Sequence, residues 1–246
     1  MAFSRFRLAD IREFIPPVVL RLRRRWLGIE EPLELFIRRD KLHAYGQLGE
    51  DLIIDAILGR KDDGFYVDVG AHHPTYLSNT KRFYDRGWRG INVEPSATLF
   101  EMFMKERPHD TNLNIGISSE PGELPFFELE PSYLSTFSRE FAAQAKTIDR
   151  TSRIVAERIV KTDSLANVLE ANARGRVVDF LSIDVEGYDV NVLKSNDFSR
   201  FRPRLIIVEL SHRSKSILDY MSQVDYDLAF NNRLNGVFLD RRSASW

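Results

Sequence analysis

The sequence predicts an α/β domain: a doubly wound, mostly parallel sheet with helices on both faces. Three observations predict it. The apolar strand runs are continuous rather than alternating, as in strands buried on both faces. Helical patterns separate those runs, as parallel crossovers require. Two last runs, Tyr226–Phe230 and Gly236–Leu239, flank Asn231-Asn232-Arg233-Leu234-Asn235 and read as an antiparallel C-terminal hairpin.

In chain order, residues 1–44 read as a basic amphipathic helical extension and 45–246 as the α/β domain. Residues 1–29 hold seven Arg and two acids, a local charge of +5 inside a total of −1, so the remainder carries −6. Val18, Val19, Leu22, Trp26 and Leu27 recur at helical spacing between Arg21, Arg23, Arg24 and Arg25. Such a helix fits packing on the domain or on a second subunit of a homo-oligomer. It also fits an anionic membrane surface or a lipid-linked substrate. The run from Phe14 to Leu20 is broken by Pro16 and Pro17 and is far shorter than the roughly 20 residues of a bilayer span. A connecting helix is expected at Glu34–Arg39. The expected central strands are 65–69, 90–94, 112–117, 177–183 and 205–210. Helices are expected at 77–86, 97–105, 164–171, 189–194 and 214–221. Leu124–Leu129 and Arg158–Lys161 read as extra strands, with a helical lid across Arg139–Arg158.

The chain has no cysteine. Disulfides, thiolate metal sites and a thiol nucleophile are excluded, and a reducing cytoplasmic setting fits, with the basic segment able to hold the protein peripherally at the inner face of the membrane. A near-neutral total with an acidic body argues against a nucleic-acid partner.

In open α/β sheets ligands bind beyond the carboxyl ends of the strands. The first strand ends in Asp68-Val69-Gly70-Ala71-His72-His73-Pro74, where Gly70 allows close backbone approach and Asp68 can hold a cationic or hydroxyl group. The second ends in Glu94, placed to take two ribose hydroxyls. Asn114 and Ser118, near the end of the third, are candidate adenine-edge partners. Pro74 and Thr75 stand where a G-x-G-x-x-G loop needs glycine, so a dinucleotide lacks its pyrophosphate cradle. A nucleoside without phosphates fits better, and S-adenosylmethionine is the common one.

A set of segments then carries a resemblance: Gly46-Gln47-Leu48-Gly49-Glu50-Asp51, Tyr66 to Pro74, Ser78-Asn79-Thr80, Gly87 to Pro95, Leu134-Ser135-Thr136-Phe137 and Asp179 to Gly187, followed by Pro203 and Glu209. In order and spacing they resemble the FkbM-type S-adenosylmethionine-dependent methyltransferases, over Tyr45 to Glu209. The resemblance implies the Rossmann-like class I methyltransferase fold for 45–246. It implies methyl transfer to a hydroxyl of a sugar in a surface glycan, a glycolipid or a glycosylated metabolite, or to a polyketide hydroxyl. It assigns cofactor contacts to Asp68, Gly70, Glu94 and Asn114, with Glu50 near the methionine end. His72 stands where the family more often has Asn, and is counted with the cofactor set.

At the chemistry end, Asp184 and Glu186 close the fourth strand two residues apart and point to one side. Two such carboxylates need a cation, a shared proton or substrate donors. Glu209 and His212 follow the neighbouring strand. Asp184, Glu186, Glu209 and His212 therefore form a candidate site for a hard cation such as Mg²⁺. Alternatively Asp184, Glu186 or His73 removes the acceptor's proton, since an alcohol needs a base, a metal or both. Tyr133 and Phe137 are candidates for stacking on a sugar ring. A nicotinamide dehydrogenase is disfavoured by the missing glycine loop. A non-catalytic interaction module is disfavoured by the two intact acidic strand ends.

Overall fold

The structure, a computed structural model, describes residues 44–210 and 214–243. The N-terminal helices, the lipid-surface reading of residues 1–29 and His212 lie outside the described residues.

A seven-stranded sheet forms the core. Its strands are β1 (Phe65–Val69), β2 (Arg89–Val93), β3 (Thr111–Leu113), β7 (Phe180–Ile183), β8 (Leu205–Glu209), β9 (Tyr226–Asn231) and β10 (Asn235–Asp240). The spatial order is β3-β2-β1-β7-β8-β10-β9. All neighbours are parallel except β10, which is antiparallel to both β8 and β9. A second sheet of order β4-β6-β5 is built from β4 (Gly116–Ile117), β5 (Gly122–Glu130) and β6 (Arg153–Asp163).

The continuous apolar runs are explained by burial on both faces. Period-two alternation sends Phe65, Val67 and Val69 to one side, where they meet α5 (Leu165–Asn172), α6 (Asp189–Lys194) and α7 (Ser214–Gln223). Tyr66 points to the other side, towards Ile54 of α1 (Glu50–Ile57), Phe83 of α2 (Lys81–Asp85) and Trp88. A further helix, α3 (Ala97–Glu106), links β2 to β3, and α4 (Arg139–Gln144) lies against β5.

Three expectations are corrected. The third run splits: the Asn114 amide donates to the carbonyls of Glu94 and Pro95 at 2.8 and 2.9 Å and turns the chain out of the main sheet. The residues beyond that turn become β4, paired with β6. Helix α2 begins at Lys81 rather than Leu77, because Leu77 has a φ of 59° and Ser78 Oγ accepts from Lys81 N–H. The helix expected across Arg139–Arg158 ends in a 3₁₀ turn at Thr147, and Arg153 already opens β6. Helix α1 is additional. Its buried acids Asp51 and Asp55 pair with Arg82 and Arg86.

Candidate active site

Strand register assembles the site. Val69 lies beside Val93 and Ile183, and Ile183 beside Val208. Gly70, Glu94, Asp184 and Glu209 therefore leave adjacent strands at one edge. Gly70 has a φ of 75°, and a Cβ there would lie 1.9 Å from the Asp184 carbonyl oxygen. The two strand ends touch at that point, and only glycine allows it.

A cavity of about 310 Å³ opens above this edge. Gly70, His72 and Glu94 form one wall, and Asp184, Val185 and Glu186 another. Ser132 to Phe137, with Phe126 and Glu128 of β5, close it from the second sheet. Gly116 is part of that closure, since the Phe137 ring occupies the space a Cβ would need.

Glu94 is buried and receives two backbone donors: Ser96 N–H to Oε1 and His72 N–H to Oε2, both at 2.8 Å. A carboxylate has about four lone-pair directions, so two remain for a vicinal diol. Burial outweighs these donors and raises its pKa to about 8. Asp68 does not line the cavity. It is buried on the α2 side of β1 and accepts from Thr80 Oγ1 at 2.9 Å, and burial raises its pKa. Asn114 supports the β2 turn with its amide. Ser118 Oγ lies 3.4 Å from the Tyr188 hydroxyl, away from the cavity lining. Glu50 is buried beside the acidic end and accepts from Asn232, Asn235 and Leu48 N–H. His73 Nδ1 accepts from Thr75 and Tyr76 N–H, both at 3.0 Å, so the lone pair a base would use is committed to a turn.

Asp184 and Glu186 also line the cavity, and they and Glu209 each bring a carboxylate oxygen to within 4.8 Å of the others. Asp184 is open to the cavity although protein packs densely around its carboxylate, so its desolvation is partial. Burial and the neighbouring carboxylates still push the Asp184 and Glu186 pKa values well up. Glu186 has a φ of 52° and Gly187 one of 83°. Asp189 holds this strained turn, accepting from the N–H groups of Val185 and Gly187. Thr136 Oγ1 donates to the Glu186 carbonyl at 2.8 Å and docks the acceptor-side segment onto the same turn.

Two supporting residues carry no functional signal in the sequence. Arg107 is fully buried. It donates to the Pro74 carbonyl, Ser78 Oγ, Thr80 Oγ1 and the Tyr66 hydroxyl, fixing the loop that follows β1. Its local sequence gives no hint of this, because every one of these partners is at least 27 residues away. Asp189 reads locally as an N-terminal helix acid, and only the fold shows it clasping the turn.

A buried carboxylate with two acceptor directions left, a glycine at the strand crossing and a cluster of acids fit S-adenosylmethionine. Among solved structures, the chain is similar to the FkbM methyltransferase from Methylobacillus flagellatus KT, at 14% identity and a TM-score of 0.47, over 90% of this chain and 52% of that one. The chain thus spans about half the length of that relative. It is also similar to the METTL16 methyltransferase domain, at 12% identity and a TM-score of 0.46, over 90% and 77%. The Methanococcus jannaschii fibrillarin pre-rRNA processing protein aligns at 12% identity and a TM-score of 0.39, over 80% and 75%. No functionally curated protein matches the sequence. No helix among the described residues is long and apolar enough to cross a membrane. The model of the methyltransferase FkbM domain matches residues 68–228, from the acid of β1 to the middle of β9, and the chain belongs to the FkbM family of S-adenosylmethionine-dependent methyltransferases.

Proposed function

We propose that the chain is an O-methyltransferase acting on a neutral hydroxyl, with a sugar of a surface glycan, glycolipid or glycosylated metabolite as the favoured acceptor. The observation that carries this reading is that Glu94 and Asp184, at the carboxyl ends of the two strands flanking β1, line one cavity. The ionisable lining is His72, Glu94, Glu128, Asp184 and Glu186, with no Lys or Arg among the described lining residues. Such a lining suits a cationic cofactor and offers a phosphate-bearing acceptor no cationic partner, which disfavours nucleic acid. Tyr133 and Phe137 offer apolar ring faces beside Ser135 and Thr136, a surface suited to a sugar.

In the mechanism, bound S-adenosylmethionine supplies a methyl group activated by positive sulfur. Glu94 would hold the ribose hydroxyls, ionising as they bind, and so fix the donor's position. Asp184 accepts the proton of the attacking hydroxyl, and the crowding of Glu186 and Glu209 makes it a stronger base than an isolated carboxylate. Alignment and exclusion of water supply the rest. A second reading is favoured by the three clustered oxygens: a divalent cation such as Mg²⁺ at Asp184, Glu186 and Glu209 would acidify the hydroxyl in place of a free base. His212 as a fourth ligand, and residues 1–29 as the seat on an anionic bilayer at the cytoplasmic side, are parts of the same proposal.

Titration calorimetry with S-adenosylhomocysteine is the test. Saturable heat is expected. No heat together with no thermal shift overturns the reading, and a shift with NADH alone favours a dehydrogenase. Activity lost in EDTA and restored by Mg²⁺ selects the metal route, whereas activity retained in EDTA selects the free base.

A further inference from the structure

We propose that His72 is a positioning residue that ties the cofactor wall of the cavity to its acceptor wall. The proposal rests on the S-adenosylmethionine reading and deepens it.

Two bonds of one residue carry it. The His72 N–H donates to Glu94 Oε2 at 2.8 Å. The His72 ring Nε2 lies 3.0 Å from Ser132 Oγ, and the two share one hydrogen bond across 60 positions of sequence. Both bonds are made from a left-handed backbone, φ 51°, which residues other than glycine rarely adopt. Both partners line the cavity.

From Ser132 the acceptor wall is held at each step. Ser135 Oγ accepts from Leu129 N–H at 3.0 Å, Thr136 bridges to Phe127, and Thr136 Oγ1 reaches the Glu186 carbonyl. Segment 132–137 is thus a strap pinned to the acidic turn at one end and, through His72, to the cofactor carboxylate at the other. Burial holds the His72 pKa down at about 4, so its ring is neutral and the bridge does not titrate near neutrality. A nucleoside seated on Glu94 is then bordered by a strap whose near end is anchored on the residue that also orients Glu94. Release of the nucleoside requires that end to move.

The experiment measures S-adenosylhomocysteine dissociation from the full chain, with hydrogen exchange of residues 130–137 with and without it. His72→Asn tolerates the left-handed backbone and keeps the N–H to Glu94, but its side chain is too short for Ser132. Ser132→Ala removes the partner on an exposed position, which keeps the test valid if the His72 variant folds poorly. Each is expected to release the nucleoside about fivefold faster, the worth of one neutral hydrogen bond. The double variant is expected to be no faster than either single one, and ligand-induced protection of 130–137 is expected to fall. Wild-type rates and protection in both single variants would overturn the proposal, as would effects that multiply in the double variant. An effect of His72→Ala absent from His72→Asn would assign it to the backbone and overturn the ring bridge. A wild-type chain that binds no S-adenosylhomocysteine would overturn the cofactor reading itself, and this proposal with it.

Discussion

Glu94 and Asp184 end parallel strands on either side of β1, and both are carboxylates with raised pKa values. Their surroundings differ in kind. Glu94 is given two backbone donors and has one acid, Asp68, in its field. Asp184 stands among Glu186, Glu209, Asp189, Asp68 and Glu50. A carboxylate supplied with donors is organised to hold hydroxyl groups in place. A carboxylate crowded by its own kind is organised to take up a proton or a cation. On the proposed function, the same side-chain chemistry is divided into a binding end and a reacting end by what surrounds it.

The sharpest way to break that division is Asp184→Asn. It should lower methyl transfer by about 10³-fold while S-adenosylhomocysteine affinity stays close to wild type. It should also raise the melting temperature, increasingly so as pH rises, because the raised pKa means that ionised Asp184 costs the fold stability. Unchanged turnover would remove Asp184 from the reacting end. Next in size is Gly70→Ala, at the point where the two ends touch. The added Cβ and the left-handed backbone should cost about 3 kcal/mol by thermal or chemical unfolding and impair both ends together. A neutral result would mean that the ends are independent. The smallest effect is expected of Glu94→Gln, which should weaken S-adenosylhomocysteine binding about 30-fold through the loss of charge-assisted hydrogen bonds, with little effect on folding at pH 7.

Protonation gives Glu94 a signature of its own. Its folded pKa, about 8, is above the ordinary 4.5. The stability it contributes is therefore full below pH 4.5 and is lost as pH rises through 8. Ribose donors favour the ionised form, so binding near pH 7 should release a proton. Calorimetric heat should then depend on the buffer's ionisation enthalpy, and this dependence should vanish in Glu94→Gln.

The central strands are legible in the sequence because parallel strands buried on both faces leave continuous apolar runs, and the strand ends follow from them. Gly70, Glu94 and Asp184 can therefore be read from the order of residues alone, as the positions where those runs stop. Helix α1 is not legible, because it buries Asp51 and Asp55 against arginines from a later helix and its hidden face looks polar. The first half of strand β6 reads as helix because Ile154 and Val155 both remain exposed, which erases the usual contrast between faces. The surroundings of Asp68 depend on a contact twelve residues away, and those of His73 on the exact geometry of its own turn. Thr80 claims the first, and backbone N–H groups claim the lone pair of the second.

The strand β10 wedged between β8 and β9 has a consequence in time. Its first residue, Asn235, supplies a side-chain donor to Glu50, 185 positions earlier. On a ribosome, α1 emerges long before that partner exists. The acidic edge of the site is therefore completed by a contact that closes almost the whole described chain. Such distant pairings are slow to form, so the fold is expected to acquire its nucleoside affinity late, after most of its sheet is in place.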